Sequence, residues 1–277
     1  MSVKFRHAKS LGQNFLIDNN IADEIIEGSC IDENDMVIEI GPGMGILTRE
    51  IVERASYVVA IEIDTRLISI LERRFAAYDN IKILNEDVMK CDLNALIQRY
   101  KPLECNAVRV IGNLPYYITT PIIMKLLEEK VEADSITVMI QKKVAERIMA
   151  EPGSKACGAV TASISYYCTG EKITDAPAAA FDPRPKVDST VIRLDLRKNP
   201  PVELMDKLAY FEVVRYGFAK RRKTLLNALI GMRNMDKEAV TKVLESAGID
   251  SRRRAETLNI QEIADIANAV VSLKYGC

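Results

Sequence analysis

Histidine is almost missing from this chain of 277 residues: His7 is the only one. It precedes every predicted element, which excludes a Ser–His–Asp or Cys–His relay in a folded core. Cysteine occurs at positions 30, 91, 105, 157, 168 and 277, and never as a CxxC pair. With so little histidine beside them, these thiols do not form a zinc pattern and no metal is expected. Reduced thiols of a cytoplasmic protein are the expectation instead. No stretch approaches the roughly 18 apolar residues of a membrane span. The opening MSVKFRHAKS has no apolar core of the kind a secretory leader carries. A strong net charge is absent too, the formal balance being −1.

What is present is an ordinary globular composition, 48% apolar and 28% charged, long enough for about two domains. The charge is unevenly placed. From Pro200 onward there are 13 Lys/Arg against 10 Asp/Glu, whereas the remainder is acidic. Two basic clusters lie in this C-terminal part: Lys220, Arg221, Arg222 and Lys223, then Arg252, Arg253 and Arg254. Lys4, Arg6 and Lys9 add positive charge near the start, with no acid before Asp18. Taken singly, such a cluster is most simply a solvated helix face.

The first two-thirds alternate short apolar runs with amphipathic segments. Strands are predicted at Met36–Ile40, Tyr57–Ile63, Ile81–Leu84, Ala107–Ile111 and Ile136–Ile140. Helices are predicted at Ile46–Arg54 and Arg66–Tyr78, with another opened by Thr119, Thr120 and Pro121, a cap followed by a first-turn proline. This alternation indicates an α/β fold with a mainly parallel sheet covered on both faces. Ser189–Leu196 reads as a last strand after the proline-rich stretch Pro183–Val187. Gly158–Cys168 is ambiguous between helix and strand. Asn199-Pro200-Pro201 then breaks the chain, and helical spacing follows at 204–218, 223–232, 237–247 and 260–273. Residues 1–198 are therefore expected to form one domain and 199–277 a small all-helical one.

Glu39-Ile-Gly41-Pro-Gly43-Met-Gly45 follows the first of those strands and opens a helix. Glycines there admit a ligand to the backbone, and the helix N-terminus offers free N–H groups. The spacing is G-x-G-x-G, with Ile46 where a dinucleotide fingerprint wants its third glycine. No Gly-Lys-Ser/Thr follows, so the loop is not a nucleoside-triphosphate cradle. Glu62 ends the second strand, where an acid can accept from both ribose hydroxyls of an adenosine. Asp87 follows the third strand, where a carboxylate can accept from an adenine amine. Each acid alone is commonly a solvated strand end. Together they place an adenosyl group at the carboxyl edge of the sheet. S-adenosylmethionine (SAM) carries no phosphate, which suits a site without a local lysine.

Asn113-Leu114-Pro115-Tyr116 follows the fourth strand. The proline restricts Leu114 to an extended conformation and stiffens the turn. The Asn113 amide oxygen and the Leu114 carbonyl then point in fixed directions. Two such acceptors can hold the two hydrogens of an exocyclic amine and turn its lone pair toward a methyl donor. Tyr116 is placed to stack on the base. This tetrapeptide marks methyltransferases acting on planar nitrogen.

Taken together, the chain resembles the KsgA/RsmA family of ribosomal RNA small-subunit adenine dimethyltransferases. The likeness runs over nearly the whole length. It rests on Ser10–Leu16, Glu39–Gly45, Glu62-Ile-Asp64, Asp87, Asn113–Tyr117 with Thr119-Thr120-Pro121, Phe181–Ser189 and Phe218–Leu225. The resemblance implies a Rossmann-like SAM-dependent methyltransferase sheet with a helical C-terminal domain. It implies that Asn14 and Leu16 close over SAM, that Gly41 lies under its methionine part, and that Glu62 takes the ribose and Asp87 the adenine. Asn113 then sits between cofactor and target, and Phe181 stacks on the target adenine opposite Tyr116. The substrate it implies is a pair of adjacent adenines in the 3′-terminal hairpin loop of 16S rRNA, each dimethylated at N6 during small-subunit assembly. The two basic clusters would then meet RNA phosphates. A monomer is expected. Two other readings share some of these features. One is a large-subunit rRNA adenine N6-methyltransferase conferring antibiotic resistance, which macrolide sensitivity of expressing cells would exclude. The other is a non-catalytic rRNA-binding assembly factor, against which the intact Glu62, Asp87, Asn113 and Tyr116 speak.

Overall fold

A computed structural model describes residues 12–220 and 222–275. Lys4, Arg6, His7, Lys9, Arg221 and Cys277 lie outside the described residues. In chain order the elements are β1 (Phe15–Leu16), α1 (Asn19–Gly28), β2 (Met36–Ile40), α2 (Ile46–Val52), β3 (Tyr57–Glu62), α3 (Thr65–Arg74), β4 (Ile81–Asn85), α4 (Leu93–Tyr100), β5 (Val108–Asn113) and α5 (Thr119–Glu128). They continue with β6 (Ser135–Gln141), α6 (Lys142–Ile148), α7 (Ala159–Tyr167), β7 (Cys168–Ala176), β8 (Phe181–Asp182) and β9 (Ser189–Leu196). The last helices are α8 (Lys207–Ala219), α9 (Leu225–Leu229), α10 (Lys237–Ser246) and α11 (Ile260–Tyr275).

Seven strands form one sheet in the order β4-β3-β2-β5-β6-β9-β7. The β4-β3-β2-β5-β6 part is parallel and β9 joins β6 antiparallel. Every residue of β2 is buried, as a central parallel strand requires. The order reverses at β2, whose neighbours β3 and β5 lead away on opposite sides. Loops leaving the carboxyl ends of these three strands therefore open a crevice at the switch point. Aspartates make the turn from strand or loop into helix: Asp18, Asp64 and Asp92 each accept from backbone N–H groups of the helix they precede. Val37, Val58, Ile111, Met139 and Val191, one from each of five strands, are buried in a single apolar cluster with Ile25, Ile51, Leu67 and Leu71 of α1 to α3.

Two expectations differ from this structure, and one ambiguity is settled by it. Helix α5 starts at Thr119, but its N-cap position is Ile118 and no side chain caps it. The Thr119 hydroxyl instead donates back to the Pro115 carbonyl at 3.0 Å, closing the turn before the helix. Gly158–Cys168 resolves as helix α7 running into the first residue of β7. The second difference concerns the boundary. The chain divides into two compact units, one holding the described residues to Ala145 with Gly170–Leu196, the other Glu146–Thr169 with the described residues from Arg197. The helical unit thus recruits a segment far upstream of Pro200. The reason is visible in its core, where Cys157, Ala162 and Tyr166 are buried together with Tyr210, Val214, Leu229, Val240 and Ile266.

Candidate active site

The crevice at the carboxyl edge is a cleft of about 820 Å³. Its wall includes Asn14, Gly41, Glu62, Asp87, Asn113, Leu114 and Tyr116, so seven of the residues singled out from the sequence are brought together. Leu16 lines a smaller adjoining space of about 300 Å³ with Glu39, Gly43 and Asn113.

The glycine loop is shaped by what lies over it. Gly43 has φ +57°, and a Cβ there would come within 2.8 Å of the Phe15 ring. Gly45 has φ +80° and a Cβ would strike Phe75 at 2.8 Å. The second glycine therefore lets β1 cross the loop, and the third lets α2 open against α3. The Gly43 N–H donates to Glu62 Oε2 at 3.1 Å, and the Asp64 N–H to Glu62 Oε1 at 2.8 Å. These bonds fix the Glu62 carboxylate beside the loop. Burial pushes its pKa above the ordinary value, against the opposing pull of those N–H donors. Asp64 is held well below its ordinary value, at about 2, chiefly by the Arg66 guanidinium. The Gln13 amide donates to Asp64 at 2.8 Å and ties the segment before β1 to the end of β3.

At the next strand end, Asp87 Oδ1 accepts from the Met89 N–H at 3.0 Å, which sets the carboxylate's direction. Ile63, exposed over about half its surface, and Val88 line the cleft beside Glu62 and Asp87. On the other side, Asn113 Nδ2 donates to the Asn14 carbonyl at 3.0 Å. That commits the nitrogen end of the amide and leaves the oxygen as its acceptor end. The Leu114 N–H donates to the Met139 carbonyl at 3.2 Å, pinning the peptide whose carbonyl follows. Tyr116 is half-buried, and its hydroxyl lies 2.7 Å from Ser189 Oγ. Burial raises the phenol pKa above its usual range.

The donor set fits SAM. Glu62 and Asp87 offer acceptors where ribose hydroxyls and an adenine amine would lie, and Ile63 and Val88 offer apolar faces for the ring. The lining contains Glu62, Glu86 and Asp87 and no Lys, Arg or His among the described residues. That environment favours a sulfonium cation and disfavours a phosphate.

Phe181 is not on this wall. It is 3% exposed and packs in the apolar cluster of the sheet unit, paired across the β1–β8 ribbon with Leu16. The expectation that it faces Tyr116 across the target base is not met in this conformation. Its aromatic side chain is core here because β8 pairs with β1 and both Leu16 and Phe181 are buried in the same apolar cluster. Sequence reasoning also passed over residues that the structure places at the site. Gln13 and Ser189 stood inside quoted motifs without a role. Glu39 is 1% exposed and receives the Thr48 hydroxyl at 2.6 Å. Burial pushes its pKa up to about 8. Ile63 and Val88 carry no local signal that distinguishes a cleft wall from a core residue.

The described members of both basic clusters lie in the helical unit. The Leu225 N–H donates to the Arg253 carbonyl at 2.7 Å and the Leu226 N–H to the Ser251 carbonyl at 3.2 Å. Two loops about thirty residues apart are thereby joined. Lys220, Arg222, Lys223, Arg252 and Arg254 are exposed. Arg252 pairs with Asp250 at 3.2 Å on the surface. Arg253 differs: it grips Glu262 through both terminal nitrogens, at 2.5 and 3.0 Å, and donates to the Thr257 carbonyl at 2.6 Å. In this structure it acts as a strut within its own unit.

Sheet order, switch-point cleft, glycine loop and strand-end acids define a Rossmann-like methyltransferase with SAM as methyl donor. The family description "Ribosomal RNA adenine dimethylase" matches residues 4–270, and the chain belongs to that family. It is 50% identical over 266 residues to a Ribosomal RNA small subunit methyltransferase A of Alkaliphilus oremlandii, covering 96% of this chain and 92% of the relative. A protein of the same description from Geobacillus thermodenitrificans is 47% identical over 274 residues, covering 97% and 92%. Among solved structures, a dimethyladenosine transferase from Plasmodium falciparum aligns with TM-score 0.78 and 25% identity, covering 91% of this chain and 95% of that one. The 23S rRNA methyltransferase ErmE aligns with TM-score 0.71 at 25% identity, covering 93% and 100%. Among the described residues, no helix is long and apolar enough to cross a membrane, and no three His, Cys, Asp or Glu side chains group to hold a metal ion.

Proposed function

We propose that this enzyme dimethylates N6 of two adjacent adenines in the 3′-terminal hairpin loop of 16S rRNA, acting as a cytoplasmic monomer on the assembling small subunit. The observation that carries the chemistry is the Asn113 amide, anchored by its nitrogen on the Asn14 carbonyl with its oxygen end free for an amine. When bound, SAM supplies an electrophilic methyl group. Asn113 Oδ1 and the Leu114 carbonyl hold the two N6 hydrogens and turn the nitrogen lone pair toward that methyl. Glu62 and Asp87 keep the donor in register by accepting from ribose and adenine. Tyr116 replaces one stacking partner of a base that has left its own stack. No strong base is required: alignment lowers the barrier, and the two acceptors favour the positive charge developing on nitrogen.

The helical unit supplies RNA affinity in this reading. Lys220, Arg222, Lys223, Arg252 and Arg254 form one basic surface, because the backbone bonds of Leu225 and Leu226 join their loops. Phosphate contacts there position the enzyme without reading sequence.

The test is methyl transfer from labelled SAM to under-methylated small subunits. The wild-type chain should place two methyls on each of two adenines, and Asn113→Ala should lose most single-turnover activity while retaining SAM binding. Transfer to large-subunit RNA with macrolide resistance, or full activity of Asn113→Ala, would overturn the assignment or the alignment role respectively.

A further inference from the structure

The bond between Tyr116 and Ser189 asks for an explanation. Tyr116 hangs from a turn closed by Pro115, and a ring attached only through its Cβ can swivel. Its hydroxyl meets Ser189 Oγ at 2.7 Å, and Ser189 has no exposed surface. Ser189 stands at the start of β9, in register with Gln141 of β6. The residue before it is fixed from two directions: the Asp188 carbonyl accepts from the Lys142 N–H at 3.0 Å, and its carboxylate accepts from the Ala178 N–H at 2.8 Å. The phenol is therefore fastened to the sheet at its far end, so the plane of the ring is set. A phenylalanine would offer the same stacking face without this fastening.

We propose that Ser189 is a positioning residue that locks the Tyr116 ring, and that the lock matters chiefly for the second methyl transfer to each adenine. The inference rests on the reading of Asn113, Leu114 and Tyr116 given above. In each transfer, N6 forms a bond to the methyl carbon while the C–S bond breaks. The electron pair of that bond leaves on sulfur, and one N6 proton departs to solvent. In the first transfer two N–H groups are available, one for Asn113 Oδ1 and one for the Leu114 carbonyl. In the second only one N–H remains, and the methyl already installed must face one of the two acceptors. One of the bonds that oriented the base is gone. Its orientation then depends more heavily on the stacking platform, and the platform's angle depends on Ser189.

The experiment is a time course of N6-methyladenosine and N6,N6-dimethyladenosine in nucleosides from under-methylated small subunits, with SAM affinity measured by calorimetry. Ser189→Ala should leave SAM affinity and the first transfer within about twofold. It should slow the second by on the order of two- to tenfold, as loss of one hydrogen bond permits, so that monomethyladenosine accumulates. Tyr116→Phe removes the same bond from the other side without disturbing β9 and, whatever its overall rate, should shift the ratio of monomethyl to dimethyl product in the same direction. The double variant should be no worse than either single one, and Ser189→Thr should restore dimethylation. Should Ser189→Ala fail to fold, Tyr116→Phe and Ser189→Thr carry the test. Equal slowing of both steps, or dimethylation by Tyr116→Phe with no monomethyl intermediate, would overturn the lock. If Tyr116→Ala also dimethylated normally, the platform reading itself would fall; if Tyr116→Ala alone were inactive, only the role of Ser189 would.

Discussion

Replacing Glu262 by Gln in the helical unit sets two physical effects against each other. The substitution removes one negative charge close to a basic surface. At roughly 10 Å, in water and at physiological salt, that charge repels a phosphate by only about 0.1–0.4 kcal/mol. Electrostatics alone therefore predicts slightly tighter RNA binding. Glu262, however, is the partner that holds Arg253, and the Arg253 carbonyl is where the Leu225 N–H anchors the other basic loop. Arg253 lowers the Glu262 pKa, with burial opposing, which marks the bond as charge-assisted. The Arg253 side chain is 31% exposed and that of Glu262 23%, so solvent weakens the pair and the lower part of the usual range applies, about 1 kcal/mol. The mechanical effect exceeds the electrostatic one. Glu262→Gln should weaken binding to small subunits by about three- to tenfold. Because every phosphate-binding cation is retained, the slope of log affinity against log salt should stay the same. Titration of labelled enzyme against under-methylated subunits over a salt series measures both quantities. Glu256→Gln, which removes an acid from the neighbouring turn without touching Arg253, is the control for charge alone. If Glu262→Gln bound as tightly as wild type or tighter, the strut would have no role in shaping the basic surface.

Three other outcomes follow from the geometry. Changing Lys220, Arg222 and Lys223 together to Gln should flatten the salt slope by about 0.7–0.9 for each phosphate no longer neutralised, with SAM affinity unchanged; an unaltered slope returns this cluster to an ordinary solvated face. Phe181→Ala should cost about 3–5 kcal/mol in chemical denaturation, because the ring fills a core position. Normal stability with impaired turnover would instead restore Phe181 to the target base. Glu39 has a folded pKa raised to about 8 from 4.5, so its contribution to stability is greatest below its ordinary pKa and fades as pH rises toward about 8. Glu39→Gln should flatten the denaturation-derived stability profile between about pH 5 and 8, and parallel profiles for the two proteins would refute it.

Much of this molecule was legible in its residues because burial is two-sided. Met36–Ile40 and Ser189–Leu196 are read from the sequence with the bounds they have in the structure, since an apolar run or an alternation between punctuating residues is a strong strand signal. Strand β7 was not legible: CTGEKITDA lies in an edge strand whose side chains between its two buried ends are exposed or only partly buried, so hydrophobicity leaves no pattern there. The Asn199-Pro200-Pro201 break was a sound local signal for the end of the sheet. It said nothing of α7, whose apolar residues pack with helices that come after that break. At the site, Glu62 and Asp87 could be found because each ends or follows a strand beside a glycine loop. Ser189 could not, because its significance lies in a phenol 73 residues away. Arg253 is the converse case: composition groups it with its neighbours, and only the position of Glu262 separates it from them.

The β1–β8 ribbon pairs Phe15 with Asp182 and Leu16 with Phe181. Two residues per strand have no stability of their own, so these segments hold or shift together. One strand of the ribbon crosses the glycine loop and is adjacent to Asn14, the anchor of Asn113. The other leads through Pro183–Asp188 to Ser189 and the Tyr116 ring. Cofactor side and base side are thus built onto the same small ribbon, whose Leu16 and Phe181 are buried in the core. Any coupling between the two sides is reciprocal: the factor by which SAM alters affinity for the target base must equal the factor by which the base alters affinity for SAM. A small molecule lodged in the cofactor part of the cleft and a base held against Tyr116 would obey that equality whichever arrived first.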